Sequence, residues 1–176
     1  NYGWEKPKWF SDDDEKENYS YRRNNSFDYV KNECDNVRNN VGLLDLSTFA
    51  KYEISGKNSL EFLERLCANK IPKQDGSIIL THMLNEKGRI QSELTITRLP
   101  NNIFYVLSST ASEIRDLDWF NRHLRKEENV NIKNVTKDYG VLVLAGPKSR
   151  KVLSQITSQN LNNNDFPWLK GKEILI

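Results

Sequence analysis

Residues 78–108 read Ile78-Ile79-Leu80-Thr81-His82-Met83-Leu84-Asn85-Glu86-Lys87-Gly88-Arg89-Ile90-Gln91-Ser92-Glu93-Leu94-Thr95-Ile96-Thr97-Arg98-Leu99-Pro100-Asn101-Asn102-Ile103-Phe104-Tyr105-Val106-Leu107-Ser108, and their punctuation decides the fold. Ile78 to Met83, Ile90 to Leu99 and Ile103 to Ser108 are three strand-like runs. Asn85-Glu86-Lys87-Gly88 supplies the first turn and Pro100-Asn101-Asn102 the second, which predicts an antiparallel meander. In the middle run Glu93, Thr95 and Thr97 alternate with Leu94, Ile96 and Arg98. A strand sends successive side chains to opposite faces, so one face should lie on a core and the other on a polar space.

Before the meander, Val30, Cys34, Val37 and Val41 recur at helical spacing and predict a helix from Phe27 to Val41, ended at Gly42. Leu43-Leu44-Asp45-Leu46 reads as a buried stretch, Tyr52 to Gly56 as a short strand and Ser59 to Asn69 as a second helix with Leu60, Leu63, Leu66 and Cys67 on one face. After the meander, Ser112 to Leu124 should form a third helix with Ile114, Leu117 and Phe120 inward. Val130 to Val135 and Val141 to Ala145 are further strands, and Gly146-Pro147 opens a helix over Lys148 to Ile156. The turn-rich tail, residues 160–176, carries Phe166-Pro167-Trp168 as an anchor. The class is α+β, an antiparallel sheet with helices on one side. Residues 1–26 form an extended lead-in tied down at Trp4, Trp9 and Phe10, and residues 27–176 form the folded part.

Composition narrows the function. Basic residues number 26 and acidic 24, giving a net charge of +2, so no broad basic face exists for nucleic acid or anionic lipid. No run of eighteen apolar residues offers a membrane helix, and residues 1–10 have no secretory apolar core. The first residue is not methionine, which leaves upstream and targeting residues open. The run Asp12 to Glu17 reads as a solvated loop. Cys34 and Cys67, each in an apolar helical register, read as buried free thiols of a reducing compartment. His82 and His123 are the only histidines, and no metal constellation stands out. No Gly-x-Gly-x-x-Gly, P-loop, His-Glu-x-x-His or Gly-x-Ser-x-Gly pattern occurs.

The ordered series Gly42-Leu43-Leu44-Asp45-Leu46-Ser47, Leu66-Cys67-Ala68-Asn69, Thr81 to Arg89, Glu93-Leu94-Thr95-Ile96-Thr97, Asn134-Val135-Thr136 and Leu144-Ala145-Gly146-Pro147 resembles the folate-binding aminomethyltransferase domain found in dimethylglycine and sarcosine dehydrogenases. The lead-in Tyr2-Gly3-Trp4-Glu5-Lys6-Pro7, with Trp9-Phe10 and Tyr21-Arg22-Arg23, resembles the segment that joins this domain to a flavin-bearing half. The resemblance implies the first lobe, and part of the next, of an aminomethyltransferase-like module. It implies a flavin that oxidises an N-methyl amine and tetrahydrofolate that takes up the one-carbon unit, with FAD held by a domain outside residues 1–176. It places the family's pterin-gripping Gly-Glu-x-Gly-Trp-Glu segment after the position of Ile176. Folate, a small N-methyl amine reached through the flavin domain and a partner chain completing the module are the implied partners. The implied location is cytoplasmic, or the mitochondrial matrix in a eukaryote.

By the same resemblance, Glu93 stands where relatives carry a catalytic aspartate on the strand after the Gly-rich turn, where a carboxylate can steady positive charge or hold a proton in transit. Phe49 stands where relatives place an apolar residue against the folate rings. Ser109 stands where they often have an asparagine, and a hydroxyl supplies only part of an amide's hydrogen bonding. Thr95 shares Glu93's face. Arg89 replaces a second turn glycine and implies a slightly altered loop. Two other classes stay open: a non-catalytic folate-fold fragment or accessory subunit, and a folate-fold protein of iron–sulfur assembly or RNA modification. The Gly3-Trp4-Glu5 lead-in argues against the last.

Overall fold

The computed structural model describes Glu5 and residues 7–176, so the expected anchor at Trp4 lies outside the described residues. The chain forms two compact units, which interleave in sequence.

The larger unit, residues 46–141 with 160–175, holds a five-stranded antiparallel sheet. Its strands are β2 (Ala50–Ser55), β3 (Ile78–Leu84), β4 (Ile90–Leu99), β5 (Ile103–Ser108) and β6 (Asn131–Asn134), in the order β3-β4-β5-β2-β6. The two expected turns form: Asn85 accepts from the Gly88 amide at 2.9 Å, its side chain caps Lys87 and Arg89, and Asn101 and Asn102 take positive φ. Alternation along β4 sets the layers: Leu94 and Ile96 are fully buried, whereas Glu93 is exposed and Thr95 half-buried. Helices α2 (Ser59–Leu66) and α3 (Glu113–His123) bring Phe62, Leu63, Leu66 and Phe120 onto the same core as Tyr52, Phe104 and Val106. Phe120 meets Tyr52 edge-on at 5.4 Å and Phe62 at 6.3 Å, the offset geometry aromatic quadrupoles favour. The tail runs along the outer edge of β3, with the Ile78 amide donating to Leu169 and that of Gly171 to Gly76.

Two expectations fail in this unit. Ile114 is 83% exposed, and the inward positions of α3 belong to Asp116 and Phe120, four residues and about one turn apart. The tail is anchored by the buried Leu161, whereas Trp168 is 88% exposed.

The smaller unit, residues 1–45 with 142–159 and 176, contains α1 (Phe27–Asn39), β1 (Gly42–Asp45), β7 (Leu142–Ala145) and α4 (Ser149–Leu153). β1 and β7 pair antiparallel, from Gly42 opposite Ala145 to Asp45 opposite Leu142. The stretch at Leu43-Leu44 is a strand and not buried, the two leucines being 65% and 57% exposed. α1 keeps its helical period but buries no residue, and Cys34 is exposed, against the expectation of a buried thiol. A two-stranded sheet gives such a face little to pack against. Among the described residues no helix is long and apolar enough to cross a membrane.

Candidate functional site

The β4–β5 ladder runs from Leu99 opposite Ile103 to Thr95 opposite Leu107 and stops there. On its other side β4 stays paired with β3 as far as Ile90. The first half of β4 therefore parts from the end of β5, and a cleft of about 390 Å³ opens in the gap. Phe49, Glu93, Thr95 and Ser109 all line it, so the structure brings the four candidates together. Because the sheet is open here, the cleft also takes lining from the core side: the buried Ser92 and Ser108, and Arg115 from the first turn of α3.

Each position is fixed locally. Phe49 precedes β2 in a loop tied by its own amide to Leu46 at 2.9 Å and by the Thr48–Thr110 hydroxyl contact at 3.0 Å. Beneath it lies Lys51, fully buried, whose Nζ donates to the carbonyls of Ser47 at 2.7 Å and Phe49 at 2.8 Å. Burying an ammonium is costly unless it is matched by acceptors, so Lys51 serves as the clamp of this loop. Ser109 follows β5, and its carbonyl accepts from the Ser112 amide at 2.9 Å, starting the turn into α3. Glu93 faces His82 directly across the β3–β4 pair, with Oε2 3.3 Å from Nε2.

Under the cleft sits a polar network that residue spacing did not reveal. Asp116 has no solvent exposure; one oxygen accepts from the Ser92 hydroxyl at 2.7 Å and the other lies 3.5 Å from Arg115 Nε without a hydrogen bond. Arg115 Nη2 donates to the Ser112 hydroxyl at 2.8 Å. The Ser108 hydroxyl faces the Tyr52 phenol but makes no well-aligned hydrogen bond, and Tyr52 donates instead to the Glu113 carbonyl at 2.6 Å. Burial, reinforced by Asp116, pushes the Tyr52 phenol up, so this hydroxyl stays a donor. His82, Ser92, Arg115 and Asp116 were not singled out from the sequence. The signals available were the cross-strand register fixed by the turn at 85–88 and the helical spacing of residues 116 and 120.

A larger hollow of about 700 Å³ draws all its lining from one stretch of chain between Glu64 and Lys73. Its thiol, Cys67, is pushed up to about 12 by burial, which makes it a poor nucleophile. The smaller cleft, with an apolar wall, carboxylate, hydroxyls and guanidinium converging from four chain segments, is the better candidate.

Comparison with known proteins agrees with this architecture. The profile of the GCVT N-terminal domain matches residues 1–176. The mitochondrial dimethylglycine dehydrogenase of Rattus norvegicus is 39% identical, the alignment covering 99% of this chain and 20% of that protein. The mitochondrial pyruvate dehydrogenase phosphatase regulatory subunit of Mus musculus is 31% identical over 99% of this chain and 21% of its own length. The chain thus spans about a fifth of these relatives. Among solved structures, the glycine cleavage system aminomethyltransferase T from Bartonella henselae superposes with a TM-score of 0.72 at 22% identity, covering 81% of this chain and 38% of that one. Mixed helices and antiparallel sheet thus match the first part of the aminomethyltransferase fold, and the chain belongs to the GCVT N-terminal domain family.

Proposed function

We propose that this chain forms the folate-facing lobe of a one-carbon transfer site, in a flavin-dependent dehydrogenase that demethylates an N-methyl amine such as dimethylglycine or sarcosine. One observation carries the proposal: Phe49, Glu93 and Ser109, singled out by family resemblance, and Thr95, on Glu93's face, line a single cleft where the β4–β5 ladder opens. Phe49 and Leu107 offer apolar walls for a flat heterocycle, and Ser109 and Thr95 offer hydroxyls for its polar edge. Glu93 supplies a carboxylate that favours positive charge on a folate nitrogen and can hold its proton. The residues fit tetrahydrofolate. FAD has no Gly-rich cradle in this chain, and its chemistry is assigned to a separate domain. The name of the rat relative supports a mitochondrial location in a eukaryote, and the matrix is the compartment proposed for this chain.

An open cleft of about 390 Å³ covers only part of a tetrahydrofolate, whereas tight sites bury most of their ligand. Titrating this chain with 5-formyltetrahydrofolate should therefore give a Kd in the high micromolar range or weaker, about −5 kcal/mol. Amide shifts should concentrate at Phe49, Glu93, Thr95 and Ser109. Shifts confined to another surface would remove folate from the cleft, and submicromolar binding would show the site complete within this chain. A second reading, a non-catalytic accessory module, is favoured by the similarity to a regulatory subunit. It expects ligand or partner binding with no one-carbon transfer.

A further inference from the structure

We propose that Arg115 is the carboxylate anchor of this cleft, so that the ligand carries an amine over Glu93 and a carboxylate on Arg115. This inference rests on the folate reading above and adds to it the second pole of the ligand.

The guanidinium is held but not used up. Asp116 touches it only through Nε, at 3.5 Å, while the other oxygen of that carboxylate is taken by Ser92. Ser112 accepts from Nη2 at 2.8 Å. A side-on carboxylate pair would occupy the guanidinium edge with two parallel hydrogen bonds; here the contact is single and long. Nη1 has no partner among the described residues, and the side chain is 54% exposed beside the cleft it lines. Three tethers thus converge on one rotamer: a wholly buried carboxyl, a buried hydroxyl and the first turn of α3. Pre-orienting a flexible cation in this way lowers the entropy cost of binding an anion.

The opposite charge lines the same cleft. Glu93 offers a carboxylate and Arg115 a guanidinium, so the lining selects a molecule with a basic nitrogen and an acid group joined by an apolar or aromatic body, which Phe49 and Leu107 can cover. Tetrahydrofolate has this form, with ring amines at one end and a glutamate at the other. An N-methyl amino acid carries the same two poles a few bonds apart.

The test uses this chain, isotope-labelled, and three probes: p-aminobenzoylglutamate, its diamide, and dimethylglycine. The expected result is that p-aminobenzoylglutamate shifts the Arg115 Nε–Hε signal and that Arg115→Gln weakens its binding roughly five- to tenfold, the size of one charge-assisted contact. The diamide should bind Arg115→Gln and wild type alike, and Arg115→Lys should restore part of the loss. Equal affinity of both proteins for the acid, or no binding of it, overturns the proposal. Stronger perturbation of Arg115 by dimethylglycine than by p-aminobenzoylglutamate overturns the assignment to the folate tail. A 6-methyltetrahydropterin, which has no carboxylate, tests the folate reading alone: its shifts at Phe49 and Glu93 stand or fall independently of Arg115.

Discussion

His82 and Glu93 face each other across the β3–β4 ladder, with the imidazole Nε2 3.3 Å from the carboxylate Oε2. Both side chains keep access to solvent, 38% and 63% exposed, so the contact orients the carboxylate more than it stabilises the sheet. Replacing His82 with alanine should change the unfolding free energy by less than about 1 kcal/mol, as measured for exposed pairs. Urea melts of the two proteins check this, and a loss above about 2 kcal/mol would make the pair structural.

Phe120 and Ile114 separate what the helix period implies from what the core accepts. Phe120 is fully buried against Tyr52 and Phe62, so Phe120→Ala should cost about 3–5 kcal/mol through the cavity it leaves. Ile114→Ala, at an 83% exposed position, should cost less than about 0.5 kcal/mol. The opposite ranking, read from denaturant midpoints, would restore the inward face expected from apolar spacing.

The meander was legible because turns and alternation are local: β4 begins and ends where its sequence says, and Leu94 and Ile96 are buried as their parity requires. Failures came where burial depends on distant segments. The inward place taken by Asp116 is paid in polar contacts with Ser92 and Arg115, a partnership that apolar periodicity cannot register. Leu43, Leu44 and Cys34 are apolar, but nothing in a strand pair or an isolated helix period states what covers them. Glu93, Phe49 and Ser109 came from ordered family resemblance, and Thr95 from sharing Glu93's face of the strand. Their gathering around one cleft depends on the point where β4 and β5 part, which no residue type marks.

Stability should fall in alkali. Burial pushes the Cys67 thiol and the Tyr105 phenol each up to about 12, and raises Tyr52 as well. The folded chain therefore keeps protons that the unfolded chain releases from about pH 9 upward. Fewer protons on the unfolded state means stability declines as pH rises through this window and is fully present below it. Calorimetry should show Tm steady near pH 7–8 and falling between about 9 and 12, with a shallower fall for Cys67→Ala. A Tm unchanged to pH 11 would contradict the burial of these groups.

Two glycines with positive φ should differ. At Gly56 (φ 116°) an added Cβ would collide with the Asn129 carbonyl, whereas at Gly88 (φ 69°) nothing stands within 4 Å. Gly88→Ala should cost about 1 kcal/mol of backbone strain, and Gly56→Ala distinctly more, about 2–4 kcal/mol. Thermal melts of both variants decide the order, and equal losses would mean that the Asn129 loop yields freely.

The proposed one-carbon transfer depends on Glu93 acting on folate in the cleft. In a full-length dehydrogenase of the kind proposed above, Glu93→Gln keeps the shape and removes the charge. Stopped-flow measurement of flavin reduction by the amine and of methylene-tetrahydrofolate formation, on the same variant, separates the two steps. The expected result is transfer slowed by roughly ten- to a thousandfold with flavin reduction unchanged, the loss typical of one electrostatic or acid–base group. Folate transfer at the wild-type rate would contradict it and leave Glu93 an ordinary strand residue.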